Sequence, residues 1–155
     1  MAYDFALMTQ EQAEKIAFTW HYENEYSFYD LEADQEDLEE FLDEEKRGNS
    51  LYAVLEDGEL VSFLSVNMIE PKTIDIGLGM RPDLTGKGKG IEFLKAGIEF
   101  IQLEFKPEKI SLSVAAFNER AIKVYRKVGF EDIGSFLQET NGSTFEFMKM
   151  EYICE

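Results

Sequence analysis

Asn118-Glu119-Arg120-Ala121-Ile122-Lys123-Val124-Tyr125-Arg126-Lys127-Val128-Gly129-Phe130 is the stretch whose reading decides the fold. Asn118 stands where a helix N-cap belongs. Ala121 and Tyr125 follow at three and seven residues, on one helical face. Ile122, Val124 and Val128 can fill a core without Tyr125. Gly129 suits the helix C-cap, and Phe130 opens a strand. Read alone, Tyr125 is an ordinary packed aromatic.

About thirty residues upstream lies Arg81-Pro82-Asp83-Leu84-Thr85-Gly86-Lys87-Gly88-Lys89-Gly90, which runs into a helical pattern. Glycines before a helix N-terminus let backbone N–H groups converge on an anion, and Lys87 and Lys89 add positive charge. The spacing fits neither GxxxxGK[ST] nor GxGxxG, which disfavours a P-loop or Rossmann nucleotide fold. A flexible turn with solubilising lysines explains the loop alone equally well.

Working outward, Phe5–Met8 is a candidate first strand. Thr9 and Gln12 form a capping-box pair before a helix with the stripe Ala13, Ile16, Ala17, Trp20. Residues 21–31 lack periodicity and read as a loop or broken helix. Asp34 caps a second helix through Arg47, with Leu38, Phe41 and Leu42 on its apolar side. Leu51–Glu56 and Leu60–Asn67 flank the turn signal Asp57-Gly58. Lys72–Met80 is a third strand. Gly77 and Gly79 within it suggest a bulge or a close backbone approach by a ligand. The spacing of Ile91, Leu94, Ile98, Ile101 and Phe105 predicts a helix over 88–105, stopped by Pro107. A strand over 109–114, a helix over 119–127 and a strand pair around Asn141-Gly142 complete the order β-α-α-β-β-β-α-β-α-β-β. This is an α/β chain with a mixed sheet.

The chain has 155 residues and one cysteine, Cys154. That length suits one domain, and a lone cysteine excludes an internal disulfide or a cysteine-based metal cluster. No metal site is expected. The net charge of −17 argues against nucleic acid as a partner and favours cationic ligands. Between Glu23 and Glu45 stand twelve acidic residues and no basic one, either a solvated helix face or a funnel for a basic substrate. No apolar run reaches membrane-span length, and Met1-Ala2-Tyr3-Asp4 does not look like a signal peptide. The expectation is a cytoplasmic protein without a membrane partner, monomer or homodimer.

The two segments together resemble the GCN5-related N-acetyltransferases, a family whose later motif, N-x-x-A-x-x-x-Y-x-x-x-G-F, is met by Asn118, Ala121, Tyr125, Gly129 and Phe130. Its acetyl-CoA loop, Q/R-x-x-G-x-G/A, aligns with Thr85 to Gly90, Thr85 departing from the usual Gln or Arg. The resemblance implies residues 1–155 as a single N-acetyltransferase domain. It also implies a central mixed, mostly antiparallel sheet flanked by helices, with two splayed strands. Acetyl-CoA would be the cosubstrate. Backbone groups of Leu78, Gly79 and Met80 would pair with its pantetheine arm, and Thr85, Gly86, Lys87, Gly88, Lys89 and Gly90 would hold its pyrophosphate. Asn118 would bond the cosubstrate near the splayed strands, and Tyr125 would face the thioester sulfur.

The chemistry implied is direct attack by a primary amine of a small molecule, polyamine or protein N-terminus. An alkyl ammonium, with a reference pKa near 10.4, must first lose a proton. Asp75 is the candidate base, with Glu70, His21 or water as alternatives. Tyr125, whose reference pKa of about 10 lies above a thiol's roughly 8.5, is the candidate donor to the leaving sulfur. Backbone N–H near Met80 would meet the developing oxyanion. The loop from His21 to Asp30 is the candidate acceptor site, with Tyr22, Tyr26, Phe28 and Tyr29 lining it and Glu23 and Glu25 meeting a cation. A non-catalytic acyl-CoA-binding module is the alternative, favoured only by Thr85.

Overall fold

We describe residues 3–85 and 88–154 of a computed structural model of the chain. β1 (Tyr3–Leu7) leads into α1 (Gln10–Thr19), then two short 3₁₀ turns (Asn24–Tyr29 and Leu31–Ala33), α2 (Gln35–Leu42) and α3 (Glu44–Arg47). β2 (Leu51–Glu56), β3 (Glu59–Glu70) and β4 (Thr73–Met80) form a meander. A 3₁₀ turn (Pro82–Leu84) and α4 (Lys89–Phe105) follow, then β5 (Lys109–Ala115), α5 (Glu119–Val128), β6 (Glu131–Thr140) and β7 (Ser143–Ile153).

The local signals act where expected. Thr9 and Gln12 form the reciprocal capping box of α1, with bonds of 3.1 and 2.9 Å. The Asn118 side chain caps α5 by accepting the Ala121 N–H at 3.2 Å. Asp57 and Gly58 both take positive φ in the β2–β3 turn, as do Asn141 and Gly142 between β6 and β7, the conformation that two-residue hairpins favour.

The helix expected from Asp34 through Arg47 is instead two. Asp43 adopts an extended conformation, and its carboxylate accepts the N–H groups of Glu45 at 3.0 Å and Lys46 at 3.2 Å. A short acid that can recap the chain competes with helix continuation at that point.

The seven strands run in the order β1-β2-β3-β4-β5-β7-β6. Every neighbouring pair is antiparallel except β4–β5. Strand alternation sends successive residues to opposite faces. Val54, Leu64, Ile74, Ile76 and Leu112 pack with Leu94, Ile98 and Ile101 of α4 and Ile122 of α5. Ala53, Leu60 and Phe63 pack on the other face against Ile16, Trp20 and Phe41 from the first helical region. The stripe read for α4 missed Phe93, which is buried beside Leu94.

The parallel pair β4–β5 is short. Thr73–Ile76 pair with Lys109–Leu112, and the ladder stops there. Gly77–Met80 remain paired with β3, and Ser113–Ala115 remain paired with β7. The two strands therefore part company with no strand between them, as the resemblance implied.

Candidate active site

The parting of β4 and β5 opens a cavity of about 590 Å³, within the usual size of small-molecule sites. Its walls come from β4 (Ile76 to Met80), β5 (Leu112 to Val114), the start of α4, the first turns of α5, and tyrosines of the first 3₁₀ region.

The ladder phase determines which backbone groups face the gap. The Arg81 N–H donates to the Val61 carbonyl at 2.8 Å, in register with Ser62 opposite Met80. In an antiparallel ladder bonded pairs alternate with non-bonded ones. Gly77, Gly79 and Arg81 thus bond to β3, while the N–H and C=O groups of Leu78 and Met80 point across the gap. An extended amide chain entering there would find a strand edge ready to pair with it. That donor and acceptor pattern fits a pantetheine arm.

Gly77 and Gly79 do not form a bulge, since the β3–β4 register runs unbroken past both. The cause of Gly79 is Phe63, directly opposite on β3: a Cβ at 79 would fall within the Phe63 ring. At Gly77 the Ser65 side chain fills the equivalent space. Phe63, Gly77 and Gly79 all line the cavity, so the glycines let a neighbouring side chain lie flat along its wall.

Of the glycine-loop residues, Gly86 and Lys87 lie outside the described residues. Thr85, Gly88 and Gly90 line the cavity. Gly88 has a left-handed conformation (φ 77°) as N-cap of α4, which a side chain would strain. The Thr85 hydroxyl donates to the Pro82 carbonyl at 2.7 Å, tying the loop to the turn before it. Lys89 is turned to Glu56, 3.7 Å away.

Tyr125 projects from α5 into the cavity and packs edge-on against Phe130. Among the described residues no group hydrogen-bonds its hydroxyl. Burial, with a smaller contribution from Tyr29, pushes its pKa well above the usual phenol value, so it holds its proton throughout the neutral range. Asn118 spends its two side-chain functions locally. Its oxygen caps α5, and its Nδ2 donates to the Tyr29 hydroxyl at 3.2 Å. Burial raises Tyr29 too, opposed by the Asn118 amide and the Ala115 backbone.

The expected acceptor loop divides. Tyr22, Tyr26 and Tyr29 line the cavity, whereas Phe28 packs against Phe117 and Phe145. Tyr22 donates its hydroxyl to the Met80 carbonyl at 2.7 Å. Its pKa is raised by burial and then by Asp30. Glu23 is exposed at the head of the first 3₁₀ turn, and neither it nor Glu25 is in the cavity wall.

The structure also leaves the candidate bases outside. Asp75 faces Ser111, whose hydroxyl donates to it at 2.8 Å, and takes no part in the lining. Glu70 sits at the exposed end of β3. His21 has Nδ1 3.2 Å from Asp30 and Nε2 3.0 Å from the Phe18 carbonyl. Asp30, then the Phe18 carbonyl, raise its pKa. Among the described residues, the lining contains no carboxylate or imidazole. A metal-binding cluster is absent among the same residues, and no described helix is long and apolar enough to cross a membrane.

Sequence reasoning missed two contributors. Arg120 lines the cavity with its guanidinium 4.3 Å from the Tyr26 ring centroid, and Phe63 covers Gly79. Both arise from contacts between distant segments and leave no local sequence signal.

A family model for the acetyltransferase (GNAT) domain matches residues 2–131. No curated protein matches the chain. Several solved structures do. The spermidine N-acetyltransferase from Vibrio cholerae in complex with CoA and spermine is 17% identical, covers 97% of this chain and 95% of its own, and superposes with a TM-score of 0.76. An acetyltransferase (GNAT family) from Bacillus anthracis has 17% identity, coverage of 97% and 94%, and a TM-score of 0.74. A putative phosphinothricin N-acetyltransferase has 16% identity, coverage of 99% of each chain, and a TM-score of 0.72. At these identities the likeness is one of fold.

Proposed function

The chain belongs to the GNAT acetyltransferase family, and on that premise we propose that it moves the acetyl group of acetyl-CoA to a primary amine, the whole chain acting as one catalytic unit. The observation that carries this reading is the β4–β5 gap, with the Leu78 backbone groups and the Met80 N–H facing across it and the protonated phenol of Tyr125 in the same cavity.

Leu78 would hold a pantetheine amide, and the Gly88 to Gly90 end of the loop, with the N-terminus of α4, would take the pyrophosphate. Bound acetyl-CoA supplies an activated acyl group and a thiol leaving group. The Met80 N–H is placed to meet negative charge developing on the acyl oxygen, and the Tyr22 bond to the Met80 carbonyl anchors the peptide that follows it.

The acceptor arrives as an ammonium, which the −17 field attracts. It releases one proton to water, since no acidic or imidazole side chain is at hand in the described lining. Its nitrogen then bonds to the acyl carbon as the C–S bond breaks. The electron pair goes to sulfur, and Tyr125 donates toward it. A phenol with so high a pKa acts mainly as a hydrogen-bond donor. The second amine proton passes to the sulfur, so the products are an amide and a free thiol. Small molecules, polyamines and protein N-termini share this chemistry. A cytoplasmic setting suits a chain whose one cysteine is free.

The test is release of CoA thiol from acetyl-CoA across a panel of amines, alongside thermal unfolding with and without acetyl-CoA. We expect both a stabilising shift by ligand linkage and amine-dependent release. A shift with no turnover on any amine favours a non-catalytic acyl-CoA-binding module instead.

A further inference from the structure

We infer that Arg120 binds a carboxylate of the acceptor, so that the preferred substrate is an amine that also carries a carboxylate, as amino acids do; this rests on the acetyltransferase reading above.

Among the described residues, Arg120 is the single lining residue with a formal charge. The chain holds 32 acidic residues, and its other three arginines are all engaged. Arg47 donates to the Phe41 carbonyl and to Gln10, Arg81 pairs with Asp83 at 2.6 Å, and Arg126 pairs with Asp132 at 2.6 Å. Arg120 makes no ion pair or hydrogen bond with any described residue. What it has is the Tyr26 ring at 4.3 Å. A guanidinium resting on an aromatic face keeps its in-plane N–H donors available, in the fork that suits a carboxylate.

Its position indicates an acceptor rather than a cosubstrate phosphate. Tyr26 belongs to the same short region as Tyr22, whose hydroxyl lies on the Met80 carbonyl. The site proposed for the pyrophosphate is at the head of α4, a different element. An acceptor bearing both charges also meets the electrostatics at both scales. Its net charge near zero avoids repulsion by the −17 field, and its carboxylate finds the one cation among the described lining residues. A polyamine would bring further positive charge beside Arg120 and find no carboxylate among the described lining residues.

The experiment measures thiol release by the full chain with amino acids, each paired with its own carboxamide, and with spermidine. The wild type is expected to prefer each accepted amino acid over its carboxamide. Arg120→Ala should erase that preference by raising KM for the carboxylate form about ten- to a hundredfold, the worth of a charge-assisted contact. Arg120→Lys should fall between, because it keeps the charge without the fork. Arg120→Met keeps the aliphatic stem without the guanidinium, and unfolding temperatures separate lost folding from lost recognition. The proposal is overturned if carboxamides or spermidine are the better substrates of the wild type, or if Arg120→Ala raises KM for acetyl-CoA instead. Wild-type turnover on uncarboxylated amines alone would defeat this inference and leave the acetyltransferase reading standing; no turnover on any amine would defeat both.

Discussion

The Tyr22 hydroxyl donates a 2.7 Å hydrogen bond to the Met80 carbonyl, across 58 residues of sequence. Met80 is the last residue of β4, where the strand has lost β5 as a partner. β3 still holds that strand end on one side, and on the other the phenol substitutes for the ladder bond that β5 no longer supplies. Tyr22→Phe removes it and leaves a partly buried carbonyl unpaired, at a cost of about 1–3 kcal/mol. For a chain of this size that lowers the unfolding temperature by roughly 2–4 °C per kcal/mol. Because the same residue carries the N–H proposed as oxyanion donor, on the peptide just before the anchored one, kcat should fall with it. Thermal unfolding and steady-state kinetics on one preparation check both effects.

Gly79 faces Phe63. Gly79→Ala would push a methyl group into the ring, an overpacking that typically costs about 1–3 kcal/mol. Phe63→Leu alone leaves space in the second core, yet the double variant should recover part of the stability lost by Gly79→Ala. Denaturant unfolding of the two single variants and the double one measures the coupling. Additive losses would mean that another neighbour sets the glycine.

Asp34 joins α2 to the β6–β7 hairpin. Its carboxylate accepts the Asp37 N–H at 3.1 Å and the Asn141 N–H at 2.9 Å. The Asn141 backbone, then that of Asp37, hold its pKa below the usual carboxylate range. A carboxyl depressed on folding contributes stability that is fully present above its unfolded pKa of about 3.9 and is lost as pH falls through the folded value. Asp34→Ala should therefore lower the unfolding temperature at neutral pH, and the gap to wild type should close in acid. Melting curves across that range show whether it does.

Much of the fold was legible because its signals are local. The Thr9–Gln12 box, the turns at Asp57-Gly58 and Asn141-Gly142, and the Asn118 cap each concern residues within a few positions of one another. The break at Asp43 is local as well, yet an acid inside an apolar stripe reads as a solvated helix position until its recapping bonds are seen. The site was half legible. Tyr26, Tyr29 and Tyr125 converge on one cavity, but Glu23 stays in solvent because the 3₁₀ turn carries its tyrosines inward. Asp75 is opposite Ile74 and Ile76 by strand alternation, and Ser111 on the neighbouring strand occupies it. Contacts such as Arg120 with Tyr26 join segments about a hundred residues apart, and only the folded chain brings them together.

The central claim is that Tyr125 serves the leaving sulfur in the β4–β5 gap. Steady-state thiol release by Tyr125→Phe, with acetyl-CoA varied against a saturating amine, tests it most directly. We predict a fall in kcat of about a hundredfold, in the range of one general-acid or oxyanion-type donor, with KM for acetyl-CoA within about twofold of wild type. An unchanged kcat, or parallel loss of kcat and acetyl-CoA affinity, would contradict it and make Tyr125 a packing residue.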